Sequence, residues 1–132
     1  CNNGWCKTMW PIVFVAVGGA IGASLRYTLS TYIAYRCLNN FPLGTLLVNI
    51  LGCLVVGYLL VKGFETGLLT TNWRLFLIVG IGGAFTTFSS FSFETVQLMR
   101  EGFFLMALLN IMGNLFLCLL ATSIGIVLAK IG

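Results

Sequence analysis

The residues of this chain able to do chemistry are few, and they gather in three places. Residues 80–94, GIGGAFTTFSSFSFE, hold three glycines, then a run of hydroxyls and phenylalanines, then the carboxylate Glu94. Thr45 and Asn49 stand four apart, and Asn110, Asn114, Cys118 and Thr122 follow at strict four-residue intervals. Four-residue spacing puts side chains on one helix face, so each set is a polar track. There is no histidine and no aspartate, and the only carboxylates are Glu65, Glu94 and Glu101. A cysteine nucleophile would lack its base, no cluster has the ligand spacing of a zinc site, and no Gly-rich phosphate loop follows a strand. The chain reads as no enzyme. Hydroxyls and amides in line suit an ion path instead, because they bind an ion yet release it. Phe88 and Phe91, three apart, share a face. A ring has a negative face and a positive edge, so it attracts a cation face-on or an anion edge-on. The sequence leaves both open.

The elements that must carry these groups are membrane helices. The chain has 132 residues, 59% of them hydrophobic and 8% charged, with a mean hydropathy of +1.05. A soluble domain carries roughly a quarter charged residues. Four apolar stretches, about 10–33, 43–61, 73–99 and 104–131, are each near the ~20 residues a spanning helix needs. The expected fold is all-α and integral to the membrane: a single domain over 1–132, with lipid around it and no soluble domain. The net charge of +4 lies in no basic cluster, which argues against a nucleic-acid partner. Glycine weakens a helix, and freed backbone groups at membrane depth survive only against protein or a water-filled cavity. The third span is therefore expected to be a broken helix, with Gly82 and Gly83 at the break.

In span one, Gly18/Gly22 and Gly19/Ala23 are small-xxx-small pairs that let a neighbouring helix approach closely. Arg26 lies well inside the same span, where a charge marks an aqueous vestibule or a structural pairing. Thr71 or Asn72 could cap span three. The five cysteines are Cys1, Cys6, Cys37, Cys53 and Cys118; Cys1 and Cys6 could close a small disulfide loop, and an odd count leaves one unpaired. With four spans both termini share a side. That side carries Lys7, Lys62, Arg74 and Lys130, against Arg36 and Arg100 on the other. So weak a bias permits insertion in both orientations, and two opposed copies would form an antiparallel dimer. A bundle of four spans is also thin for a transport path, which again points to an oligomer.

GGAIGASLRY in span one, FPLGTLLVN opening span two and GGAFTTFSSFSFE in span three resemble the Fluc (CrcB) fluoride channels, in order and spacing, from about Val17 onward. The resemblance implies a dual-topology, antiparallel homodimer in the plasma or inner membrane, with two pathways that let fluoride leave the cytoplasm passively. It implies a structural sodium ion at the dimer centre, held by the main-chain carbonyls of Gly83 and Thr86. It sets Phe88 and Phe91, with Ser89 and Ser92, along the pathway, and Asn49 near them. Arg26 falls on the vestibule arginine and Glu94 on a structural or vestibule glutamate. The span-four track of that family is hydroxyl-rich and begins with a tyrosine, whereas here it reads Asn110, Asn114, Cys118 and Thr122. The alternative is a small dual-topology four-helix multidrug exporter. Such exporters rely on a carboxylate in the first span, and span one here has none.

Overall fold

The computed structural model describes residues 4–37 and 41–132, with side chains from Met9 onward. The expected Cys1–Cys6 loop lies outside the described side chains. The chain forms four helices long and apolar enough to cross a membrane. They are α1 (Gly4–Arg36), α2 (Leu43–Glu65), α3 (Thr71–Arg100) and α4 (Phe104–Ile131). α1, α2 and α3 run past the expected apolar stretches through end residues such as Tyr35, Arg36, Glu65 and Arg100, which suit the interface zone, whereas α4 covers the same residues as its stretch. Pro11 sits within α1.

α1 packs chiefly on the first half of α3, and α2 on the second half of α4. Glycines set both contacts. A Cβ on Gly22 would stand 2.9 Å from Ile81 Cα, and one on Gly18 would meet the Phe76 carbonyl. On the other pair, a Cβ on Gly57 would stand 2.5 Å from the Thr122 carbonyl oxygen. Backbone lies directly on backbone at these points, as van der Waals packing between membrane helices requires. The second proposed small pair in α1 has no such role, because nothing lies within 4 Å of a Cβ on Gly19. Gly22→Ala should therefore lower the thermal midpoint in detergent, at an overpacking cost of about 1–3 kcal/mol. Gly19→Ala should leave it unchanged. Equal midpoints for the two would remove close backbone contact as the basis of the α1–α3 pair.

Lys130 near the end of α4 lies 3.9 Å from Glu65 at the end of α2, so the two helices run parallel. Both side chains are more than half exposed, and such a pair contributes little stability. α3 begins at Thr71 behind Thr70, whose side chain makes no cap bond. Neither Thr71 nor Asn72 caps the helix. Arg74 instead lies over the Phe64 ring, 4.9 Å from its centroid, a cation–π contact that ties the start of α3 to the end of α2.

Within α3, Gly82 (φ −60°, ψ −46°) and Gly83 (φ −66°, ψ −34°) are ordinary right-handed helix. The extended residues are Thr86 (φ −75°, ψ 151°) and Thr87 (φ −147°, ψ 116°), and helix resumes at Phe88. The glycines therefore do not supply a special conformation. Gly82 is small because the Val56 side chain occupies the space where its Cβ would stand.

Candidate ion pathway

Two extended threonines at membrane depth leave backbone groups to be satisfied, and the side chain of Asn49 on α2 does it. Its Oδ1 accepts the Thr87 N–H (2.8 Å), and its Nδ2 donates to the Thr87 carbonyl (3.1 Å). One amide thus brackets both polar groups of one residue. Thr87 also caps the helix that follows: its Oγ1 accepts the Ser90 N–H at 3.1 Å. That hydroxyl further bonds Ser89 Oγ (3.1 Å) and Ser90 Oγ (3.2 Å). α2 comes this close because residue 52 is glycine, and a Cβ there would run into the Thr86 side chain.

The network continues across the bundle. Asn49 Nδ2 donates to Asn114 Oδ1 (2.8 Å). Asn114 Nδ2 donates back along α4 to the carbonyl and Oδ1 of Asn110, at 3.1 and 2.9 Å. Asn110, wholly buried, donates to Thr95 Oγ1 (2.9 Å), and Thr95 donates to the Phe91 carbonyl (2.7 Å). Four polar side chains, Asn49, Asn114, Asn110 and Thr95, therefore join the backbone of Thr87 to that of Phe91 without a gap. Buried polar groups of this kind hold geometry only when all are paired, and these are.

Two cavities flank the network. One, of about 470 Å³, is lined by Asn49, Cys53, Thr87, Phe88, Asn114 and Cys118, with Thr86, Phe91 and Thr122 beside them. Phe88 and Phe91 touch, their ring centroids 5.3 Å apart and the planes 59° apart. Phe88 is 78% exposed in the single chain, so its ring is free to meet an ion or a neighbouring subunit. The other cavity, of about 350 Å³, is lined by Arg26, Ser30, Thr45, Ser90 and Glu94 together with the turn at Phe41 and Pro42. Thr45 donates to Glu94 Oε1 at 2.6 Å, and Glu94 Oε2 is buried with no protein partner. Arg26 Nε donates to the Ala84 carbonyl at 3.1 Å, which the extended residues ahead of Phe88 leave open.

Of the pathway residues expected from the sequence, Asn49, Phe88, Phe91, Asn114, Cys118 and Thr122 thus share one cavity, while Thr45 lies in the other beside Arg26 and Glu94. Asn110 lines neither cavity and serves the network behind them. Ser89 is exposed next to Thr87, and Ser92 lies on the half-buried flank of the same helix. Thr87, Ser90, Thr95 and Cys53 were not singled out. Cys53 was legible as the next step of the Thr45, Asn49 spacing, and a threonine three before Ser90 has the form of a cap. Thr95 carried no such signal.

Gly83 and Thr86 have in common that the amide each carbonyl would meet in an uninterrupted helix is diverted. That of Thr87 turns to Asn49, and that of Ser90 turns to Thr87 Oγ1. Among the described residues no group of three or more His, Cys, Asp or Glu could hold a metal ion. A cation here would have to take neutral oxygens.

Residues 13–126 match the family described as CrcB-like protein, Camphor Resistance (CrcB). The chain is 43% identical over 119 residues to the Fluoride-specific ion channel FluC of Clostridium perfringens (strain ATCC 13124), covering 90% of this chain and 93% of that one. It is 42% identical over 123 residues to the protein of the same name from Dehalococcoides mccartyi (strain ATCC BAA-2100), covering 93% and 95%. A third so named, from Paramagnetospirillum magneticum (strain ATCC 700264), is 43% identical over 125 residues, covering 93% and 98%. With four apolar helices and this kinship, the protein is a multi-pass integral membrane protein. Matched along nearly its whole length, the chain belongs to the CrcB family.

Proposed function

We propose that the protein is a fluoride-selective channel that lets fluoride leave the cytoplasm down its gradient and so lowers fluoride toxicity. The observation that carries this reading is the extended Thr86–Thr87 backbone, bracketed by Asn49 and facing a cavity walled by Phe88, Phe91, Asn114 and Thr122. Fluoride is small and strongly hydrated, so a path for it must replace water with fixed donors and positive ring edges. Amides, hydroxyls and ring edges supply these without a charge that would trap the ion. The likeness to proteins named fluoride-specific channels supports the choice of ion. Arg26, at the mouth of the second cavity, would raise the local anion concentration, and Thr45 with Glu94 would shape that vestibule.

The working unit in this reading is an antiparallel homodimer. Little of α1 or α3 is buried within one chain, and Phe88, Phe93 and Val96 are exposed on α3. The carbonyls of Gly83 and Thr86 suit a sodium ion, since they are neutral, hard oxygens released from helical bonding. One chain offers two, and an opposed copy would double the set. Bound there, the ion would offset the repulsion between anions on two neighbouring paths. The lack of a carboxylate in span one argues against the exporter reading.

Proteoliposomes loaded with fluoride should empty through this protein without a proton gradient, and chloride should pass at least a hundredfold more slowly. Equal rates for the two halides would refute selectivity. Efflux that stops when the pH gradient is collapsed would refute a channel.

A further inference from the structure

Two thiols in the pathway wall are left unused by the hydrogen-bond network. Cys53 on α2 and Cys118 on α4 both line the larger cavity, and both are free. Their positions follow from the parallel pairing of the helices. Asn49 bonds Asn114 across an offset of 65 residues, and one turn on, the same offset joins Cys53 to Cys118. A further turn on, it joins Gly57 to the Thr122 backbone, again in close contact. The thiol rung is therefore clamped on both sides, by an amide bond and by a backbone contact. Neither sulfur is needed to satisfy a neighbour: Asn49 and Asn114 are paired elsewhere, and the Thr122 hydroxyl donates to the Cys118 carbonyl at 3.0 Å.

Two fixed sulfurs with no third donor make a selective ligand set. Zinc takes four ligands in its structural sites, and no group of three or more His, Cys, Asp or Glu is present among the described residues. Thiolates favour soft d10 cations, and a divalent one that accepts two sulfurs forms a complex of zero net charge. A neutral complex avoids the large cost of burying an ion at membrane depth.

We propose that Cys53 and Cys118 form a two-sulfur site for a soft divalent d10 cation, and that its occupancy closes the pathway beside Asn114 and Phe91. Binding is an exchange without redox change: two S–H bonds break, two sulfur–metal bonds form, and two protons leave to water. The metal then fills the part of the cavity between α2 and α4. The blocking clause rests on the pathway reading above, whereas the metal site does not.

The test uses Hg2+ on the full chain with Cys1, Cys6 and Cys37 each changed to Ser, so that only the pair remains. One Hg2+ per chain should stay bound against a competing monothiol, with both thiols lost to maleimide labelling, and a dithiol should remove it. Cys53→Ala or Cys118→Ala, each added singly, should weaken retention at least a hundredfold. Cys53→Ser and Cys118→Ser repeat the measurement should an alanine variant not fold. Fluoride efflux, scored against each variant's own untreated rate, should fall at least tenfold in the pair protein and recover with dithiol. Retention as tight with one cysteine as with two overturns the site. Tight paired retention with undiminished efflux overturns the block and moves the path away from this cavity. A protein that carries no fluoride before metal is added, yet holds Hg2+ through both sulfurs, supports the site and overturns the channel reading alone.

Discussion

Replacing Asn49 by leucine is expected to destabilise the protein by about 3 kcal/mol or more and to cut fluoride efflux at least tenfold. One amide makes three bonds, to the Thr87 N–H, the Thr87 carbonyl and Asn114 Oδ1. Stranding a buried polar group costs about 1–3 kcal/mol. Side-chain bonds between membrane helices are usually worth less, about 0.6 kcal/mol, because separated helices find other partners. Thr87 has no such alternative. It is extended, so no turn of its own helix can take up its amide and carbonyl, and lipid supplies neither donor nor acceptor. The larger figure applies to it. Flux should fall because losing the bracket frees Thr87, whose hydroxyl caps the helix that carries Phe88 and Phe91. Thermal unfolding in detergent and fluoride-electrode efflux check both effects. A leucine variant that melts and conducts like the parent would remove the bracket from the mechanism.

The second large effect separates function from stability. Phe88→Ile should reduce fluoride efflux at least tenfold while moving the thermal midpoint little. The ring is mostly exposed in the chain, so isoleucine forfeits little burial there, yet it has no quadrupole and so no positive edge for an anion. Phe91 is more deeply set and tilts against Phe88 at 5.3 Å. Either substitution breaks that ring pair, at about 1 kcal/mol, and Phe91→Ile should show the same loss of flux with a further stability cost for the burial its ring forfeits. Size-exclusion of each variant checks that the assembly is intact. Normal efflux in both would leave the rings as packing and nothing more.

Some of the site was legible in the chain and some was not, and the division follows the range of the interactions. Asn110, Asn114, Cys118 and Thr122 show as one face because helical periodicity is local. Which of them meets a cavity is not local: Asn114 faces Asn49, whereas Asn110 turns to Thr95 and is sealed in. Thr45 and Asn49 share a face yet serve different cavities, because Glu94 takes the first and Thr87 the second. The interruption in α3 is the clearest case. Local propensity points to Gly82 and Gly83, but both are helical, and the extended pair is Thr86 and Thr87. Threonine tolerates extended backbone readily. What makes it stable at that depth is an amide 38 residues away in sequence.

By itself, then, the sequence determined four apolar helices. A bilayer offers backbone groups no partner outside the helix, so length and hydropathy leave no other fold for segments like these. It also showed hydroxyls and amides in line at helical spacing, residue types that suit an ion path. The tertiary structure decided where the helix opens, which polar groups line a cavity and which are spent on one another. These are decisions between residues on different helices. They turn on glycines such as Gly22, Gly52 and Gly57 that let backbones approach, and on a single asparagine whose amide meets both polar groups of Thr87 at once.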